Sequence, residues 1–191
     1  TYTIYEDEKT VPTAYLVADP QNVTVTYAET KEVPIENKEK TGSITVHKTT
    51  EGQKNIEGIK FYLRGTSDSG RAIDIPATTD KDGIAKFDGV PIGTYMVIED
   101  EETVPYGYLV ADEKEVKVEY AQTIDETILN NEQTGTVKVH KKTADMTNVE
   151  GIRFILSGIS DTGREIRIEA TTDKDGLAKF EGVPVGTYTI T

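Results

Sequence analysis

The chain repeats itself with a period of 93 residues, and the register holds without a gap. Residues 41–98 and 134–191 share about 35 identities over 58 positions, and residues 1–40 align with 94–133 in the same register. Lys48 recurs as Lys141, Asn37 as Asn130, Glu6 as Glu99 and Tyr2 as Tyr95. A period this strict means that one small unit is repeated, so fold and function have to be argued for the unit. The expected division is 1–40 as the C-terminal part of a module, 41–133 as a complete β-sandwich module, and 134–191 as the N-terminal part of a module. The ends read as a window cut from a longer protein, closing just before the glutamate of the last repeat. Links such as Glu39–Gly42 and Glu132–Gly135 are polar and only a few residues long, which suggests stiff head-to-tail stacking.

One period is enough for a single small domain whose modest core often needs a crosslink or a metal. The chain has no cysteine, so disulfides, thiolate metal sites and cysteine nucleophiles are excluded. A net charge of −13 argues against nucleic acid or an anionic membrane as partners. No stretch is apolar for long enough to span a bilayer.

Within the complete module nearly every segment alternates with a period of two, bounded by Gly, Pro, Asp and Ser clusters, and so reads as half-buried strand. Ile44, Val46 and Lys48 share one strand face, and Ile59, Phe61 and Leu63 share the next. Ile73 with Ile75, Ile84 or Ala85 with Phe87, and Tyr95 with Val97 continue the series, and Leu109–Ala111, Val116–Tyr120 and Ile128–Asn130 close it. Asp82-Gly83 and Asp175-Gly176 read as tight hairpin turns that need a residue at positive φ. About seven short strands at this spacing predict an all-β sandwich.

Three polar residues fall in the apolar phase: Lys48 with Ile44 and Val46, Glu99 with Tyr95 and Val97, and Asn130 with Ile128. A buried ammonium or carboxylate must pair, become neutral or react. By phase alone, a surface salt bridge beside an asparagine turn remains open. The reactive reading is chemically complete. Desolvation favours a neutral, nucleophilic lysine and a protonated glutamate. The acid then donates to the Asn130 carboxamide oxygen and shuttles protons until ammonia leaves, giving a Lys48–Asn130 amide bond. An amide is a poor electrophile, so the fold must supply high effective molarity.

These residues carry a family resemblance. The SITVHK strand, the run TTDKDGIAKFDGVPIGTY leading to a glutamate, the Pro105-Tyr106-Gly107-Tyr108 segment and a last strand ending in Asn130 resemble the B-type repeat domains of Gram-positive collagen adhesins. Such domains are also called SpaA-like or prealbumin-like and occur in pilins and other surface proteins. The resemblance covers the whole chain. It implies a seven-stranded reverse-immunoglobulin-like sandwich whose first and last strands are joined by a self-formed isopeptide. Lys48 is then the nucleophile, Asn130 the electrophile and Glu99 the catalytic acid. Lys141, Asn37 and Glu6 are their counterparts in the partial modules. The sequence departs from the family pattern by a short insertion between Glu99 and Pro105, which makes Glu101, and its counterpart Glu8, a rival for the catalytic role.

Other residues invite weaker readings. The acidic runs 6–8 and 99–102 fit no EF-hand loop, so no metal is expected. His47 and His140 fall on the outward phase as solvated surface residues, and Tyr15, Tyr27, Tyr108 and Tyr120 read as core and edge packing. No site for turnover of an external substrate is found, and no cofactor is implied. The expectation is a structural stalk or filament module on a bacterial cell surface or wall, stacked on neighbouring copies of itself. The alternative is an adhesive module for host matrix or glycan, against which the polar outward phase argues. Because the end segments carry complementary parts of one module, two chains placed head to tail would complete a shared sandwich by strand addition.

Overall fold

The computed structural model describes residues 1–52, 54, 56–144, 147 and 149–191. A central sandwich is built from seven strands among the described residues: β3 (Thr41–Thr50), β4 (Lys60–Ser67), β5 (Ala72–Thr78), β6 (Ile84–Pro91), β7 (Gly93–Glu99), β8 (Lys114–Val118) and β9 (Thr123–Asn130). They form two sheets, in the orders β6-β3-β9 and β5-β4-β7-β8. Before them, β1 (Tyr2–Ile4) pairs with β2 (Gln21–Val23). After them, β10 (Thr134–His140) pairs with β13 (Leu177–Pro184). A second sheet there has the order β12-β11-β14, from Glu165–Thr171, Arg153–Ser160 and Gly186–Ile190.

The period-two pattern decides which face each strand buries. Along β3 the buried set is Gly42, Ile44, Val46, Lys48 and Thr50, alternating with half-buried neighbours. Gly42 is required for space, because a Cβ there would lie 2.5 Å from the Glu119 carbonyl oxygen at the β8–β9 turn. Ile44, Val46, Ala85, Phe87 and Ile128 from one sheet meet Phe61, Leu63, Tyr95, Val97, Val116 and Val118 from the other in a single apolar core. The Tyr95 hydroxyl, fully inside, donates to the Pro91 carbonyl at 2.8 Å. A smaller core of the same kind gathers Leu156, Ile166, Phe180 and Val183 in the C-terminal segment.

The first and last strands of the sandwich, β3 and β9, are parallel neighbours, with Lys48 opposite Ile128 and Thr50 opposite Asn130. Parallel pairing cannot be made by a hairpin, so the whole intervening chain is the crossover. This register puts the C-terminal ends of β3 and β9 side by side.

Three expectations need correction. Asp82-Gly83 is not a hairpin turn: it joins β5 in one sheet to β6 in the other, as Asp80 accepts from the Asp82 and Ile84 amides and Gly83 takes φ +76°. Leu109–Ala111 is not a strand. Leu109 and Val110 are exposed and the segment runs irregularly past β9, its amides serving other partners. Of Tyr15, Tyr27, Tyr108 and Tyr120, only Tyr108 is buried, donating to the Glu51 carbonyl at 3.1 Å, whereas Tyr27 and Tyr120 project into solvent at turns.

Candidate functional site

Lys48, Glu99 and Asn130 are brought together at one end of the central core. Their relative exposures are 2%, 7% and 0%, so all three are sealed from water. Each arrives by the strand phase that also buries its apolar neighbours. Glu99 is the last residue of β7, opposite Phe61 on β4, and so reaches across from the four-stranded sheet toward the three-stranded one.

Glu99 stands between the other two. Its Oε1 lies 3.6 Å from the Lys48 Nζ, and its Oε2 accepts from the Asn130 Nδ2 at 2.6 Å. The Ala111 amide also donates to Oε2, at 2.8 Å, fixing the carboxyl from the irregular segment. Asn130 Nδ2 donates its other hydrogen to the Leu109 carbonyl at 2.8 Å. The Lys48 amine donates to the carbonyls of Thr49 at 2.6 Å and Ile128 at 3.2 Å. Glu99 Oε1 and Asn130 Oδ1 are buried without a hydrogen-bond partner. Loss of hydration holds the Lys48 amine below the ordinary lysine value of 10.5, against the opposing attraction of Glu99.

One detail differs from expectation. Glu99 faces the Asn130 nitrogen, not its oxygen. Two acceptors, Glu99 Oε2 and the Leu109 carbonyl, converge on Nδ2 and orient the amide.

The competing carboxylate is elsewhere. Asp100 caps a short 3₁₀ turn, Glu101–Thr103, by accepting from the Glu102 amide, and this ends the strand immediately after Glu99. Glu101 begins the turn and is exposed, as is Glu8 in the matching turn Glu8–Thr10. The insertion noted before Pro105 is this turn. His47 lies on the outward phase as expected but is half-buried, and pairs with Asp125 at 3.0 Å.

The same construction recurs in the N-terminal segment without a lysine. Asn37 Nδ2 donates to Glu6 Oε2 at 2.6 Å and to the Leu16 carbonyl at 2.9 Å, and the Ala18 amide donates to Glu6 Oε2 at 2.9 Å. Lys141, half-buried at the end of β10, keeps the backbone bond of Lys48: its amide donates to Gly176 at 2.8 Å, as that of Lys48 does to Gly83 at 2.7 Å.

Sequence reasoning missed the backbone groups that orient the trio: the carbonyls of Thr49, Leu109 and Ile128 and the Ala111 amide. It named Gly83 only as a turn residue and missed its approach to the site, where a Cβ would lie 2.7 Å from the Lys48 carbonyl oxygen. The signal for Gly83 was present, because Gly83 and Gly176 hold the same offset to Lys48 and Lys141.

A two-sheet β sandwich with an amine, a carboxyl and a carboxamide enclosed between its sheets is the class this geometry defines. The family model for the SpaA prealbumin-like fold domain matches residues 42–133 and again 135–191, and the chain belongs to that family. Among solved structures it is similar to the Bacillus anthracis TIE protein, with 27% identity and a TM-score of 0.56 over 81% of this chain and 28% of that one. It is also similar to a streptococcal ancillary pilin, with 21% identity and a TM-score of 0.42 over 95% of this chain and 63% of that one. For the shaft pilin SpaA of Lactobacillus rhamnosus GG the values are 15% and 0.38, over 78% and 85%. The chain thus spans well under a third of the TIE protein structure and less than two thirds of the ancillary pilin. Comparison with curated proteins finds no match.

Proposed function

We propose that the chain is a stretch of the stalk or filament of a bacterial cell-surface protein, in which each sandwich is closed by an isopeptide bond it forms by itself. The complete module is 41–133, flanked by 1–40 and 134–191 as parts of its neighbours. The observation that carries this reading is the sealed trio, with Glu99 placed between amine and carboxamide.

The chemistry follows from the contacts. One proton passes from the Lys48 ammonium to Glu99, leaving a neutral amine whose two hydrogens are held by Thr49 and Ile128 and whose lone pair is free. Nζ attacks the Asn130 Cγ. Glu99 takes a further proton from Nζ on its Oε1 side and delivers one to Nδ2 from its Oε2 side. The Nζ–Cγ bond forms, the Cγ–Nδ2 bond breaks and ammonia leaves. Glu99 ends as the protonated acid. Burial and the parallel register supply the proximity that an unactivated amide needs. This turnover happens once and within the chain, so the protein is not an enzyme toward other molecules.

Family membership supports an extracellular location at the cell surface or wall, with further copies of the module as partners. The preassembled Glu6–Asn37 pair favours one addition: a lysine strand like Thr134–Lys141 of another copy, placed head to tail, has an acid and an amide waiting for it.

Intact mass tests the proposal. The purified, folded chain is expected to weigh one ammonia less than its sequence, with the loss mapped by peptide digestion to a Lys48–Asn130 pair. A folded chain at full sequence mass overturns it.

A further inference from the structure

A carboxylate outside the trio is as deeply buried and is used by nothing described so far. Glu132 lies two residues after Asn130, its side chain fully enclosed, and binds forward into the next repeat. There the turn Ser160-Asp161-Thr162-Gly163-Arg164 receives it: the Thr162 hydroxyl and the Arg164 guanidinium both donate to its carboxylate, and the Ser160 hydroxyl bonds Thr162 at 2.7 Å. One period earlier Glu39, two residues after Asn37, meets Ser67-Asp68-Ser69-Gly70-Arg71 in the same way. Ser69 donates to it, Arg71 pairs with it at 2.8 Å, and Ser67 bonds Ser69 at 2.8 Å.

The backbone beside the glutamate is equally committed. The Gln133 amide donates back to Gly107 at 2.7 Å, while its carbonyl accepts forward from Val185 at 2.9 Å. Lys40 does the same, with Ala14 behind at 2.8 Å and Ile92 ahead at 3.0 Å. A single linking residue is therefore bonded to both neighbours, and no free tether separates them. Behind Glu132, Glu51 accepts from its amide at 2.8 Å, and the Glu51 amide donates to Asn130 at 3.2 Å, so the clamp and the end of β9 share one network.

We propose that each module docks its successor through this clamp, a glutamate two residues past the crosslinking asparagine seated on a hydroxyl and an arginine of the next module's β4–β5 type turn, and that it sets one fixed angle between neighbours. The partner is another copy of the module carrying Ser-Asp-Ser/Thr-Gly-Arg. The burial of Glu132 makes the clamp selective: a downstream turn lacking the arginine would leave a carboxylate unpaired out of water. The inference rests on reading the chain as a stalk, but its test is separate from that of the crosslink.

The absence of cysteine allows clean labelling at Lys86→Cys and Lys179→Cys, exposed positions one period apart. Distances between spin labels are measured by pulsed electron resonance in the full chain, alone and with Arg164→Ala or Glu132→Ala. The parent should give one narrow distance distribution and both variants a distribution at least twice as wide, with the ammonia loss of the central module unchanged. Arg164 is partly exposed on a turn, so its replacement leaves folding of the sandwich intact. A parent distribution as broad as the variants, or variants as narrow as the parent, overturns the clamp. The mass of the same samples reports independently on the isopeptide.

Discussion

Replacing Glu99 with Gln separates the chemistry of the site from its shape. The glutamine carbonyl retains the two bonds that Oε2 accepts, from Ala111 and Asn130, while the group facing Lys48 becomes an amide that cannot take its proton. The variant should fold and keep its own full sequence mass, with no loss of ammonia. The stability difference follows from the loop that the bond closes. From Lys48 to Asn130 the chain encloses about 83 residues, and the loop-entropy relation gives about 4.5 kcal/mol if the disulfide model transfers. For a domain of this size each kcal/mol moves the midpoint by about 4–8 °C, so the central sandwich should melt about 20 °C lower in the variant. Differential scanning calorimetry beside intact mass measures both. Ammonia loss in Glu99→Gln equal to the parent would refute the role of the acid, and an uncrosslinked variant melting with the parent would refute the entropic account.

Glu101→Ala should leave the ammonia loss complete, since Glu101 is exposed on the 3₁₀ turn; an uncrosslinked mass would transfer the catalytic role to it. Gly83→Ala should cost the sandwich about 2 kcal/mol, because a side chain there meets both the left-handed backbone and the Lys48 carbonyl, and the crosslink should form more slowly in a time course of intact mass. Asn130→Ala removes the electrophile and exposes the titration of Lys48. The folded-state value is lowered, so between it and the unfolded value near 10.5 the unfolded chain holds more protons, and denaturant stability should rise with pH across that window. A flat or falling profile would contradict the desolvation of the amine.

Much of the site was legible because strand phase is a strict rule. Lys48, Glu99 and Asn130 could be placed inside from their even spacing to Ile44, Tyr95 and Ile128, and the structure buries all three. Phase alone did not separate Glu99 from Glu101, since both share it, and the preference for Glu99 rested on the family resemblance. In the structure the choice turns on Asp100, whose side chain caps a turn and stops the strand. The Asp82-Gly83 signal identified a turn but not its destination, because a tight turn can join strands of one sheet or carry the chain between two. The segment 109–111 misled for a related reason: its apolar residues suggested a strand, yet its polar backbone is spent on Glu99, Asn130 and Asn131. Backbone donors and acceptors have no letter in a sequence, and here they orient every member of the trio.

The parallel register of β3 and β9 bears on length. With Lys48 joined to Asn130, a pull along the array enters at Thr41, travels a strand that is already extended, and leaves through the bond at the same end of the sandwich. The residues between, 49–129, would otherwise pay out roughly 270 Å of slack at the contour length of an extended chain. Under the proposed crosslink they would be stored off the line of pull, and the segment would behave as a cord of fixed length whose reach is set by its number of repeats.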